Sequence, residues 1–139
     1  LGSSSGVNGN GNSYICYCWT DIPGYSKMGS YTGNGSTNGT FVFTGFRPAW
    51  IMIRRSDSTG NWIIMDNKRN TYNYVNGRLK AESNGSEDTG YNVFSFFSNG
   101  FKLENQYDGS WNASGGTFIY IAFAEKSGST SYATETNAR

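Results

Sequence analysis

The sequence contains no histidine. That removes Ser-His-Asp and Cys-His nucleophilic machinery, His-based zinc sites and the usual general base near neutral pH. Leucine is nearly missing too: it occurs only at Leu1, Leu79 and Leu103, against eight isoleucines, 9 Phe, 10 Tyr and 4 Trp. Leucine-type residues drive helices, whereas Ile, Thr and aromatics fit a pleated sheet, so the composition reads as all-β. Neither sign of charge dominates. Eleven Lys and Arg stand against ten Asp and Glu, so no basic field exists to hold nucleic acid or an acidic membrane surface. Apolar runs last only a few residues, and none is expected to span a bilayer. No charged stretch leading into an apolar one opens the sequence, so no secretory signal is expected. At 139 residues, one domain with a real core is the default.

Cysteine is limited to Cys16 and Cys18, in Tyr14-Ile15-Cys16-Tyr17-Cys18-Trp19. Residues i and i+2 of a strand share a face but stand too far apart for a relaxed disulfide, and two ligands do not close a metal site. The expectation is two reduced, buried, small apolar side chains.

Residues 1–12 form a polar, glycine-rich lead without core potential. Beyond them, short apolar segments separated by turn residues predict strands near 13–20, 26–32, 40–45, 49–56, 61–66, 91–97, 100–105 and 117–125. One sandwich domain over 13–126 and a polar tail over 127–139 follow. Ser58-Thr59-Gly60 joins one hairpin, and Asn99-Gly100, a favoured two-residue turn, joins another. Residues 67–90 are polar and lack a strong period, which predicts a long excursion with at most one short element.

The two ends of the sequence echo one another. Val7-Asn8-Gly9-Asn10-Gly11-Asn12-Ser13-Tyr14-Ile15 lies without a gap on Trp111-Asn112-Ala113-Ser114-Gly115-Gly116-Thr117-Phe118-Ile119, and the register runs on through Trp19 on Phe123 and Asp21 on Glu125. The offset, from Val7 to Trp111, is 104 residues. It suggests a unit of that length, with a closing strand at each end of the sequence. Several strands are also apolar on both faces: Tyr14 to Trp19, Trp50 to Ile53, Trp62 to Met65 and Phe118 to Ala124. A sandwich has one interior, so the second faces must meet the 67–90 excursion, a neighbouring domain or another copy of the chain, and self-association or tight packing within a larger assembly is expected.

The run Gly29-Ser30-Tyr31-Thr32-Gly33-Asn34-Gly35-Ser36-Thr37-Asn38-Gly39-Thr40-Phe41-Val42-Phe43-Thr44-Gly45-Phe46-Arg47-Pro48-Ala49-Trp50 resembles a module common in structural proteins of tailed bacteriophages, notably marine ones. So do Ile53 to Trp62, Phe97 to Leu103 and Asn112 to Glu125, and the resemblance covers Val7 to Glu125. It implies an antiparallel β-sandwich of the jelly-roll, concanavalin A-like type in a tail-fibre, spike or head-surface protein. It implies further a homo-oligomer, a trimer being the expected form, with other virion proteins as partners at the virion surface after synthesis in the host cytoplasm. The sequence departs from that pattern in carrying Cys16 and Cys18, and in ending in a polar tail from Ser127 to Arg139.

Such modules also resemble lectins, so sugar chemistry is the second expectation. A flat aromatic with polar neighbours can take a sugar face. Arg69, Tyr72 and Tyr74 supply this in one segment, and Tyr107, Asp108 and Trp111 in the loop before the last strand. Glycan hydrolysis needs two carboxylates facing each other across the sugar. Asp66, Glu82, Glu87, Asp88, Glu104 and Asp108 all sit near turns or strand ends without such a spacing, so no enzyme is expected. Asn84 to Asp88 and Asp66-Asn67 offer oxygen ligands for calcium but match no defined loop, so no cofactor is expected. Asn-x-Ser/Thr triplets at Asn34, Asn38, Asn84 and Asn112 follow from an Asn-, Gly- and Ser-rich composition.

Overall fold

The computed structural model describes residues 4–70, 72–90, 94–104 and 109–125. Among these residues eight strands form: β1 (Ser26–Thr32), β2 (Phe41–Phe43), β3 (Pro48–Arg55), β4 (Ile63–Asp66), β5 (Leu79–Lys80), β6 (Phe94–Phe97), β7 (Gly100–Leu103) and β8 (Thr117–Ala124). They make a five-stranded sheet, ordered β1-β8-β3-β4-β5, and a three-stranded sheet, ordered β2-β7-β6. Every pairing within the two sheets is antiparallel. The protein is an all-β antiparallel sandwich. A four-residue helix, α1 (Ser5–Asn8), precedes it.

The alternation of side chains along each strand places the core. In β8, Phe118, Tyr120 and Ala122 point inward and are buried, meeting Ile51 and Ile53 of β3 and Ile63 and Met65 of β4 on the same face. The small sheet answers with Val42, Phe94, Phe96, Phe101 and Leu103. Aromatic rings tie the layers together. Phe101 of β7 lies edge-on to Tyr31 and Tyr120 of the large sheet, with centroids 6.3 and 5.5 Å away. Tyr31 stacks on Phe118 at 5.1 Å. These rings fill the volume that leucine fills in most cores, which is how three leucines suffice.

Pro48 opens β3 where no ladder donor is needed, and a bulge at Ala49 resets the register between Pro48 and Trp50. The hairpin joining β6 to β7 forms, but its turn is one residue earlier than expected: Phe97 pairs with Gly100, so Ser98-Asn99 make the turn and Gly100 opens β7 without a positive φ. Glycine at 100 is required for space, because a Cβ there would stand 2.2 Å from the Val42 carbonyl oxygen and 2.8 Å from the Phe41 ring. Among its described residues, the 67–90 excursion contains only β5 and the isolated bridges Val75 to Phe94 and Arg78 to Asp88.

One predicted strand does not form. Residues 13–20 form no regular element, are exposed and lie outside both sheets. The cause is that residues 117–124 already hold the central place between β1 and β3, while the Asp21 carboxylate accepts the Met28 N–H and pairs with Lys27 beside it. Cys16 and Cys18 are therefore free and exposed, not buried, with their sulfurs 3.5 Å apart. The sandwich proper runs from β1 onward. The expected tail at 127–139 lies outside the described residues.

Candidate functional site

The 66–90 excursion is pinned by its own polar side chains. Asp66, at the end of β4, accepts from the backbone N–H of Lys68 and Arg69 through Oδ1 and from Arg69 Nε through Oδ2 at 2.7 Å. The Arg69 guanidinium reaches on to Glu87 Oε2 at 3.1 Å, joining the two limbs of the loop. Asn70 Oδ1 accepts from the N–H groups of Asn76 and Gly77. Asn73 imitates a strand: its Nδ2 donates to the Phe96 carbonyl and its Oδ1 accepts the Phe96 N–H, both at 3.0 Å. This seals part of the β6 edge that would otherwise offer free backbone groups. The residues flanking Asn73 point away from the sandwich. Tyr72 is 83% exposed and Tyr74 54% exposed.

The structure thus keeps Tyr72 and Tyr74 available on a fixed loop but commits Arg69 to the carboxylates of Asp66 and Glu87. It also corrects the second set. Trp111 is no surface platform: it is 1% exposed, part of the core, with the Arg78 guanidinium 4.9 Å over its ring. Its carbonyl accepts the Tyr31 hydroxyl at 2.6 Å. Tyr107 and Asp108 lie outside the described residues. Arg78 escaped the sequence reading; it is 5% exposed and pairs with Asp88. An arginine in a polar stretch gives no signal of burial, because only the fold brings Trp111 beneath it.

Beside this pair an open cleft of about 480 Å³ is lined by Arg78, Lys80, Ser83, Glu87, Asp88 and Thr89. The Gly90 N–H, and after it the Arg78 guanidinium, hold the Asp88 carboxyl below the usual carboxylate range. Each described carboxylate expected as a catalytic candidate has such a tether. Asp66 and Glu87 share Arg69, Glu104 meets Lys102, and Glu82 accepts the Trp62 N–H. Among the described residues no three His, Cys, Asp or Glu side chains converge as metal ligands.

The other candidate is the outer face of the five-stranded sheet. Cross-strand partners set one apolar row across all five strands: Met28, Ile121, Met52, Ile64 and Leu79. The next row carries Phe123 and Trp50, whose rings sit 5.7 Å apart. A third carries Ile119, 40% exposed, beside Arg54, whose guanidinium lies 5.4 Å over the Trp62 ring. The small sheet likewise turns Phe41, Phe43 and Phe97 outward.

An antiparallel sandwich with one apolar outer sheet face and a pinned, tyrosine-bearing loop defines the class. Within it, the chain belongs to the family described as a domain of unknown function (DUF7483), whose model matches residues 1–127. No curated protein and no solved structure matches the chain.

Proposed function

We propose that this chain is a non-enzymatic structural module of a phage virion surface, in a fibre, spike or capsid decoration, that works through self-assembly. The observation that carries the reading is the Met28-Ile121-Met52-Ile64-Leu79 row with the aromatic row beside it. One row across five strands at about 4.8 Å spacing, with Phe123, Trp50, Ile119 and Trp62 beside it, makes an apolar patch of roughly 300 Å². That falls short of the ~800 Å² per partner of a standard interface, so the loops around the sheet contribute the remainder. The wording shared with tailed-phage structural proteins supplies the virion context, and the concanavalin A-like jelly-roll assignment, the homo-oligomer and the virion-surface location belong to the same reading.

The double variant Met52→Lys with Ile121→Lys tests it, since the two side chains are cross-strand neighbours on the outer face. Sedimentation should show the variant at a lower mass than the wild type, with its near-UV circular dichroism retained. An unchanged mass with a retained spectrum would refute the assembly reading.

The exposure of Tyr72 and Tyr74 on a loop held by Asp66, Arg69 and Glu87 favours a second reading, adhesion to a host surface glycan. A pinned loop loses little entropy when it binds, and tyrosine offers both a flat face and a hydroxyl. A glycan array should then give binding that Tyr72→Ala abolishes without changing the melting temperature. An array blank for the wild type would end this reading.

A further inference from the structure

The exposed stretch 13–20 is the least explained part of the molecule, because six consecutive apolar residues, Tyr14 to Trp19, stand in solvent. Ile15 is 83% exposed, Tyr17 74% and Trp19 54%. We propose that this stretch is a closing strand made for another unit of the same fold, in which it takes the central place that β8 takes here.

The resemblance between 7–20 and 111–124 extends from side chains to backbone. In the second segment the Gly116 N–H donates to the Ala113 carbonyl at 3.0 Å, around Gly115 at a φ of 71°. In the first, 104 residues earlier, the Asn12 N–H donates to the Gly9 carbonyl at 3.2 Å, around Gly11 at a φ of 76°. The same turn with the same left-handed glycine leads into each stretch. What differs is the lead-in and the company: Val7 and Asn8 end α1, whereas Trp111 and Asn112 lie in no helix. Trp111 and Asn112 are buried because Tyr31, Asn34 and Ser36 hold them: Asn112 accepts the Asn34 N–H and donates to the Ser36 carbonyl at 2.9 Å. Their counterparts Val7 and Asn8 are exposed, and no such loop reaches them.

The β8 register assigns faces to the earlier stretch. Phe118, Tyr120 and Ala122 point into the core and Ile119, Ile121 and Phe123 away from it, so Tyr14, Cys16 and Cys18 are the inward set and Ile15, Tyr17 and Trp19 the outward set. A sequence apolar on both faces belongs at the centre of a sheet, since edge strands carry charge or are very short. Of the inward thiols, Cys18 has its counterpart in the small, fully buried Ala122, whereas Cys16 stands where Tyr120 does here. A second free copy of this chain is not the partner, because its own 117–124 already fills the place. The partner is a unit with strands equivalent to β1 and β3 and an open slot between them. Units would then join head to tail through shared strands, with no new surface required.

Cysteine reactivity reads this out. A fusion in which residues 1–116 run directly into 13–139 gives the first unit the 13–20 stretch of the second as its only closing strand. Ellman's reagent should modify two of its four thiols as fast as the pair in the single chain, and the other two at least 100-fold more slowly until denaturant is added. Four equally fast thiols would overturn the proposal. The intact chain provides a second test that does not depend on the fusion. The 13–20 sequence is written onto β8 as Thr117→Ser, Phe118→Tyr, Ile121→Tyr, Ala122→Cys, Phe123→Trp and Ala124→Thr, with Tyr120 kept to fill the core. This chain should melt cooperatively with the introduced thiol protected. A non-cooperative melt, beside a cooperative Ala122→Cys control, would contradict the proposal. So would protection of Cys16 and Cys18 in the single chain that grows with its concentration, which would mean exchange between free copies.

Discussion

Phe101→Ala is the sharpest probe of how the two sheets are joined. Phe101 is the middle of the small sheet, in β7 between Val42 of β2 and Phe96 of β6, and it is fully buried. Its ring meets three others: Tyr120 at 5.5 Å, Phe94 at 5.8 Å and Tyr31 at 6.3 Å. Truncating a buried phenylalanine costs about 3–5 kcal/mol in transfer and cavity terms. Aromatic pairs add about 0.5–1.5 kcal/mol each beyond their area, and rigid neighbouring strands leave the hole little room to collapse, so the upper half of that range applies. At roughly 3–5 °C per kcal/mol for a domain of this size, the melting temperature should fall by about 12–25 °C. Urea titration, with the slope unchanged, gives the free-energy difference directly. Phe97→Ala is the internal comparison, because Phe97 is 40% exposed on the outer face and, among the described residues, its ring meets only Phe41. It should cost less than about 1.5 kcal/mol. Equal losses for the two variants would show that the aromatic layer does not couple the sheets.

Three further outcomes follow from single contacts. Burial pushes the Tyr31 hydroxyl well above its ordinary value near 10, so its contribution is whole below that value and lost as pH rises beyond it; Tyr31→Phe should cost about 1 kcal/mol at neutral pH and flatten the alkaline limb of stability. A variant that kept the wild-type alkaline slope would show that another group carries it. Asp88 titrates below its unfolded value near 3.9, so its contribution is present above that value and lost as pH falls through the folded one. Thermal melts of Asp88→Asn should therefore show a shallower acid slope than the wild type, and identical slopes would contradict this. Asn112→Ala removes the side chain that ties 111–116 to Asn34 and Ser36 and should cost about 2–3 kcal/mol by urea titration; a loss under about 1 kcal/mol would mean the loops are held by backbone contacts alone.

The strands legible in the sequence were those whose pattern and partner both lie in the chain. Ser26–Thr32 forms where the pattern places it, and β6 pairs with β7 as expected, although the turn between them falls on Ser98-Asn99 and not on Asn99-Gly100. The stretch 13–20 has the same pattern but no slot, and pattern records a strand's faces, not whether a neighbour is present. The buried state expected of Cys16 and Cys18 fell with it. At the candidate site, Tyr72 and Tyr74 were readable as exposed because the polar run around them has no core period. Trp111 was not, because its burial depends on Arg78 and Tyr31, 33 and 80 residues away in sequence. Apolar residues on both strand faces were visible directly, and the five-strand row from Met28 to Leu79 is their structural form.

The mass of the purified chain in dilute buffer, by light scattering behind a sizing column, tests self-assembly most directly. A stable species of three or more copies is the predicted result, with the outer sheet face inside it. A well-behaved monomer at all concentrations would contradict the account and leave adhesion through Tyr72 and Tyr74 as the reading to pursue.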